Sequence, residues 1–388
     1  MGNGLTKIKV KNFRCLADLE LETKSINVIF GPNGSGKTTF FDAILFTGDA
    51  VNKGLDQASN VRNNAKGILN ANESSNDMLY ITFESELAKY DIGIGFFPDS
   101  VKGLPFECLI DKSNNNKVID RQYGKGELME IDDSGNQRMF TTDYFSLYLK
   151  YYKLREFPTV FRPIISSLNC IMYKTLSFLF TEITGKGSYS NTSSLLSEDA
   201  ENLWSALRNI SDRRDIDDRY NTIIQFMRKA YPDFNILLLE QSGPNVVYGS
   251  MYYKKYKKPI PATLVSDGQL QMIILLTALF GQGDKEALIA FDEPDISLHP
   301  YAIAVFAEAV KLAAEKYKKQ IFIATHSPVL ISQFEPDDLV ATEINEDGST
   351  RMRRVSAIPE VADLLEKYAT GSLYMSELIA RQSRESDE

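Results

Sequence analysis

The octet GPNGSGKT, residues 31–38, constrains this chain more than any other stretch. It follows the short apolar run SINVIF, which reads as a strand, and opens into TTFFDAIL, which reads as a helix. Strand, glycine-rich loop and helix in this order form the P-loop pattern in its proper setting. Its glycines let backbone N–H groups close around phosphates, and the helix start adds favourable partial charge. Asn33, Gly34, Ser35 and Gly36 would cradle the phosphates of ATP, with Thr39 in the first helical turn. Lys37 would reach the β- and γ-phosphates and Thr38 would ligate Mg²⁺. An ordinary glycine-rich turn is the plainer alternative, and the agreement of pattern with context disfavours it.

A P-loop protein needs a second strand beside the first, carrying the acid that holds Mg²⁺ directly or through water. ALIAFDEPDISLHP, residues 287–300, answers that need. Ala287 to Phe291 is short enough for a buried strand, and it ends in Asp292 and Glu293 with Pro294 behind them. Asp292 fits the metal-holding role. Glu293 points differently and can orient and deprotonate the attacking water. Taken alone, the two acids could simply cap a strand and turn. VSDGQLQMI, residues 265–273, places Ser266, Asp267 and Gly268 ahead of a strongly apolar helix expected over 268–281. Ser and Asp suit a helix cap, and a helix start with Ser and Gly also binds phosphate.

The rest of the composition mainly excludes. A chain of 388 residues can bury a substantial core in two or three structural units. No apolar run approaches the length of a membrane span, and MGNGLTKIKV lacks a signal peptide's apolar stretch. A cytoplasmic protein without membrane partners is expected. Thr6 meets the N-myristoylation pattern at Gly2, unsupported by other membrane signals. Cys15, Cys108 and Cys170 occur singly, against a disulfide framework or a zinc site. Only two histidines exist, His299 and His326, which excludes a His-rich metal centre. A net charge of −9 gives no general attraction to nucleic acid, so such binding would need a local patch.

Along the chain, residues 5–30 read as strands, 31–48 as loop and helix, and 49–77 as a long exposed loop rich in Asn, Gly and Ser. From 78 to about 141, MLYITFES and YDIGIGFF alternate with turns such as KSNNN and DDSGN, which suggests antiparallel sheet. Residues 142–232 look mostly helical, and NILLLEQ with NVVYGSMYY reads as a hairpin. A helix over 300–317, the strand QIFIATHS and a final strand pair with two short helices complete the series. The expected division is 1–141 with the P-loop and a β lobe, 142–232 as a helical insert, 233–345 with the signature and the acidic strand, and 346–388 as a tail.

In this order GPNGSGKT, SDGQ, LIAFDEPD and ATHSP resemble the ABC-type ATPase heads of the SMC, Rad50, RecF and OLD group. The chain is most similar to compact AAA_21/AAA_15 ATPases, many of them from bacterial anti-phage defence operons. The matching stretches are residues 5–48 and about 260–335. The resemblance implies an α/β P-loop head with an antiparallel β lobe and an inserted helical region. It implies that Ser266 and Gly268 contact the γ-phosphate held by a second subunit's P-loop, giving a homodimer, or a higher homo-oligomer, around ATP. His326 would be the switch histidine beside that phosphate, with Asp295 to His299 joining the two sites. His299 itself could equally pack locally or contact the partner. Two departures stand out. Gln269 and Gln271 occupy places where related heads often carry Arg or Lys, and the glutamine that usually couples Mg²⁺ to the following lobe is unplaced among Gln57, Gln122 and Gln137.

YYKKYKKP, residues 252–259, interleaves lysine and tyrosine, and could hold nucleic acid or be a solvated hairpin edge. Lys7, Lys9 and Lys11 share one strand face, most simply a solvent face. The reading is then a slow ATPase acting as sensor and scaffold for a separately encoded effector, a nuclease or toxin, similar to the ATPase subunits of PARIS or Septu systems. The stretch after ATHSP is expected to be too short for the Toprim nuclease domain of OLD proteins. A RecF-like DNA-repair clamp is the alternative reading. A transport ATPase ranks last, because the P-loop and signature lie too far apart.

Overall fold

Ile26–Phe30 is buried at every position, and its side chains divide between two cores. Ile26, Val28 and Phe30 join one core and Ile29 the other, as expected of an interior parallel strand covered on both faces. The computed structural model describes residues 4–71, 77–121, 127–131, 137–141, 147–152, 159–242, 244–281, 288–365 and 367–381. The P-loop strand lies within a six-stranded sheet, in the order Ile171–Lys174, Leu288–Asp292, Gln320–Thr325, Ile26–Phe30, Leu339–Ile344 and Thr350–Arg354. The first five run parallel and the last is antiparallel to its neighbour.

On one face, the helix Lys37–Lys53 buries Phe40, Phe41, Ala43, Ile44 and Phe46. These share a core with Phe322 of the parallel sheet and with Ile8, Val10, Ile81 and Ile92 of a second sheet. That second sheet has eight antiparallel strands drawn from residues 5–22 and 78–141, the antiparallel lobe expected from the sequence. Each buried phenylalanine contributes about 1.5–3 kcal/mol, so the helix behind the P-loop is firmly seated. Lys7 and Lys9 of the first strand pair with Glu20, and Lys11 with Asp18. That is the solvent-face reading, and exposed pairs of this kind add little stability.

The opposite face is covered by two helices, Asp267–Gly281 and Pro300–Lys316. The first is buried at every position from Leu270 to Gly281, which explains why it is apolar all round. Beyond it, the hairpin Phe234–Ser242 with Val246–Tyr253 forms a small third sheet. Among the described residues no helix is long and apolar enough to cross a membrane.

Two stretches differ from expectation. Residues 49–77, expected as a loop, are helical over much of their described length: the first helix runs to Lys53, and Leu55–Asn60 and Asn64–Ile68 follow. Gly54, Asn63 and Asn64 take left-handed backbone angles of 98°, 62° and 50° at the joints. The loop-like composition therefore marks sharp corners between short helices. Leu55, Ala58 and Ile68 are buried, which holds those helices against the β lobe. Residues 142–232 supply the helices Leu203–Ser211 and Arg219–Ala230, but also the strand Ile171–Lys174 at the edge of the central sheet. Tyr173 of that strand stacks on Phe291 at 5.7 Å, so this segment is built into the core beside the acidic strand. The DDSGN turn, residues 132–136, and Gln122 lie outside the described residues.

Candidate active site

The P-loop passes through a tight channel. A Cβ on Gly31 would lie 2.2 Å from the Thr342 carbonyl oxygen, and one on Gly36 would lie 2.2 Å from Thr350 Oγ1. Gly36 is also left-handed, with φ 98°. Ser35 is buried and its hydroxyl oxygen has no partner. Asn33, Gly34 and Thr38 are exposed and Thr39 half-buried. Lys37 is buried, and its ammonium donates to the Gly31 and Pro32 carbonyls, each at 2.9 Å. Burial lowers its pKa to about 8, against the opposing pull of Glu293 and Asp292.

The parallel sheet brings the other groups to the same end. Asp292 closes the strand Leu288–Asp292, opposite Ala324 on one side and Lys174 on the other. Burial raises its pKa, while Lys174, Lys37 and a hydrogen bond from Thr38 act the other way. Glu293 turns into the left-handed region at φ 52°. That conformation costs about 1–3 kcal/mol and is held from both sides. Its N–H donates to the Ala324 carbonyl at 2.9 Å, and its carbonyl accepts from Thr175 Oγ1 at 2.7 Å. The turn aims the carboxylate at His326, just past the strand Gln320–Thr325. Burial pushes the Glu293 carboxyl up to about 7, with Asp295 and Asp292 adding to the rise. Burial and then Lys37 lower the His326 pKa, against a backbone hydrogen bond to Gly31.

Ser266 and Gly268, at the start of the helix Asp267–Gly281, face other neighbours. Ser266 Oγ donates to Gln269 Oε1 at 3.4 Å, and the Gly268 carbonyl accepts from Tyr231 at 2.8 Å. A Cβ on Gly268 would meet the Ser297 carbonyl oxygen at 2.5 Å, so the helix start is wedged against the loop after Glu293. Ser266 is exposed. In that loop Thr325 Oγ1 donates to Asp295 at 2.6 Å. His299 caps the next helix, its Nδ1 accepting from the Tyr301 N–H at 3.3 Å. Of the candidate glutamines, Gln57 is exposed on a short helix and Gln137 lies on the far edge strand of the antiparallel sheet. The tip of YYKKYKKP is a hairpin edge: Lys254 donates to the Pro232 carbonyl and Lys255 pairs with Asp233.

Three residues at or behind the site carried no clear sequence signal, Lys174, Thr175 and Tyr374, and a fourth, Gln271, stood out only as a departure from related heads. Lys174 ends a four-residue strand and Thr175 follows it, and Tyr374 arrives from the far end of the chain, with its hydroxyl 3.4 Å from His326 Nδ1. Chemically, a glycine-lined cradle with an orphaned buried hydroxyl and a lysine ammonium suits a polyphosphate. The Thr38 hydroxyl beside the Asp292 carboxylate is an oxygen donor set suited to Mg²⁺. A carboxyl with a pKa of about 7 can take or hold a proton at neutral pH.

Comparison with known proteins shows the family and the fold. The AAA_15 family model, the AAA ATPase domain, matches residues 4–331. The OLD nuclease of Thermus scotoductus is 22% identical over 342 residues, covering 87% of this chain and 62% of that protein. The DNA replication and repair protein RecF of Prosthecochloris aestuarii is 43% identical over 56 residues, 14% of this chain and 15% of that protein. The chain therefore spans less than two thirds of the length of either relative. Two solved SMC heads share the fold. One, bound to the C-winged helix domain of ScpA, has a TM-score of 0.53 at 14% identity, covering 90% of this chain and 97% of that one. The other, with an extended coiled coil and bound to the C-terminal domain of ScpA derived from Pyrococcus furiosus, has a TM-score of 0.51 at 13% identity, covering 94% and 100%.

Proposed function

The chain belongs to the AAA ATPase domain family, within the SMC, RecF and OLD group of P-loop ATPases, and from that premise we propose that two copies close around ATP and open on its hydrolysis. The supporting observation is the meeting of Lys37, Asp292, Glu293 and His326 at the tips of adjacent strands, with the Glu293 carboxyl poised at about 7. Lys37 and the P-loop N–H groups hold the phosphates. Thr38 and Asp292 would hold Mg²⁺, which supplies positive charge against the phosphate oxygens. Glu293 orients the attacking water and takes its proton, and His326 faces the terminal phosphate. Ser266 and Gly268 serve the nucleotide of the second copy. The exposure of Ser266, and the neighbours that both have within their own chain, support that assignment.

The test is the molar mass in solution of Glu293→Gln with and without Mg-ATP. Conversion of monomer to dimer on adding ATP is the expected result. A variant that binds ATP yet stays monomeric overturns the sandwich. A larger assembly present without nucleotide means that ATP rearranges a standing scaffold instead.

Closure would control a separately encoded effector, a nuclease or toxin, in bacterial anti-phage defence. Support comes from the similarity to an OLD nuclease over most of this chain. Co-expression with the product of the adjacent gene should yield a stable complex, and its absence removes the reading. A second reading, ATP-dependent clamping of duplex DNA, is favoured by the local match to RecF. It requires salt-sensitive DNA binding that weakens when Lys254, Lys255, Lys257 and Lys258 become alanine.

A further inference from the structure

Gln271 was noted in the sequence because related heads often carry a basic residue near this place. The structure turns it inward. Gln271 is fully buried, and its amide Nε2 donates to Thr175 Oγ1 at 2.8 Å. Thr175, also buried, passes its own proton to the Glu293 carbonyl at 2.7 Å. A hydroxyl has one proton to give, so this bond to Glu293 obliges Thr175 to accept from its other neighbour. The polarity of the chain, Gln271 to Thr175 to Glu293, is thereby fixed. The Gln271 amide oxygen is left buried without a partner. An orphaned buried acceptor ordinarily costs about 1–3 kcal/mol, and leucine or methionine would fill the space without that cost. Polar residues kept at such a cost are expected where function needs them.

The two ends of this chain belong to different halves of the proposed dimer reaction. Gln271 sits one helical turn after Ser266 to Gly268, on a rigid and fully packed helix. Glu293 holds a left-handed backbone whose carbonyl is anchored by Thr175. A shift of the helix start therefore reaches the Glu293 peptide through two short hydrogen bonds, the first of them fully buried.

We propose that Gln271 and Thr175 are positioning residues that couple the signature helix to the aim of the Glu293 carboxylate. Contact of Ser266 and Gly268 with the partner's nucleotide then sets the hydrolytic geometry in their own chain. The inference rests on Glu293 acting as general base.

The experiment measures kcat, ATP affinity and melting temperature for Thr175→Val, Thr175→Ser, Gln271→Met and the Val/Met double variant, beside Glu293→Gln. Thr175→Val and Gln271→Met are expected to lower kcat about tenfold, as for a slightly misaimed base, with ATP affinity within about twofold of the parent. Thr175→Ser restores turnover because it keeps the hydroxyl. The double variant is no worse than either single one, as for one broken chain. Parental turnover in Thr175→Val beside an inactive Glu293→Gln overturns the relay and leaves the general base standing. Parental turnover in Glu293→Gln overturns both. Equal loss in Thr175→Ser, or a fall in kcat that tracks melting temperature, marks a structural role and also overturns it. If Thr175→Val does not fold, Gln271→Met carries the same decision.

Discussion

Glu293 Oε1 stands 3.4 Å from His326 Nε2, while Glu293 Oε2 accepts the His326 backbone N–H at 3.2 Å. One carboxylate thus touches one histidine twice, through its ring and through its peptide. Burial raises the acid to about 7 and lowers the imidazole from its ordinary value, so both shifts favour the neutral forms.

The first prediction follows for turnover. Only the ionised carboxylate accepts a proton from water, so kcat/KM, which reports the nucleotide-free chain, should rise with pH through an apparent value of about 7. Glu293→Gln should lower kcat by about 10²–10⁴ and erase that acid limb. A steady-state pH series on both proteins checks this. A parental profile that is flat between pH 5.5 and pH 8, about 1–1.5 units either side of the value, would remove Glu293 as the titrating base.

The same pKa shift predicts an effect on stability. The folded chain holds the Glu293 proton more tightly than the unfolded chain, whose carboxyl titrates near 4.5. The folded state is therefore penalised progressively as pH rises from about 4.5 to about 7, and fully above that. Glu293→Gln carries no such charge. Its melting temperature should exceed the parent's by a few degrees at pH 8 and converge with it near pH 4. A difference of equal size at both values would assign the effect to packing.

How much of this was legible in the sequence depended on the range of each contact. GPNGSGKT, FDEP and ATHS are local patterns, and the parallel sheet sets their strands side by side, so the sequence alone pointed to Lys37, Asp292, Glu293 and His326. The short helices after Lys53 were hidden because Asn63 and Asn64 signal a corner, and composition does not tell a corner from a loop. Ile171–Lys174 is a strand because Tyr173 finds Phe291 and Lys174 finds Asp292 across more than a hundred residues. Thr175, Gln271 and Tyr374 acquire roles only through such distant contacts, and no spacing rule reports them.

Lys37 gives the third prediction. Its ammonium, lowered by burial to about 8, is mostly neutral at pH 9, whereas a polyphosphate beside it favours the charged form. ATP binding should then take up close to one proton at pH 9, about one from the value of 8, and little at pH 7. Calorimetry in buffers of different ionisation enthalpy reads this directly. Lys37→Ala should lose the uptake and weaken ATP binding about 10–100-fold, the loss of one or two charge-assisted hydrogen bonds. Uptake that persists in Lys37→Ala would place the titrating group elsewhere.

The last prediction concerns Tyr374, which lies beyond the family match to residues 4–331. Its ring packs edge-on against Phe30 at 5.3 Å, and its hydroxyl lies 3.4 Å from His326 Nδ1. A tyrosine hydroxyl that donates to Nδ1 leaves the imidazole proton on Nε2, facing Glu293 Oε1. That tautomer lets the neutral histidine donate to the carboxylate and hold it in place. Tyr374→Phe keeps the ring contact with Phe30 and removes only the donor, so melting should move little. Loss of one hydrogen bond of about 0.5–1.5 kcal/mol should lower kcat about two- to tenfold. The direct readout is ¹⁵N NMR of the imidazoles, simple here because the chain has only His299 and His326. His299→Asn assigns the two. The parent should show His326 as the Nε2–H tautomer at pH 8, and Tyr374→Phe a mixture of both. A parent already in the Nδ1–H form would mean that Tyr374 accepts rather than donates, and the histidine could then no longer hand a proton toward Glu293.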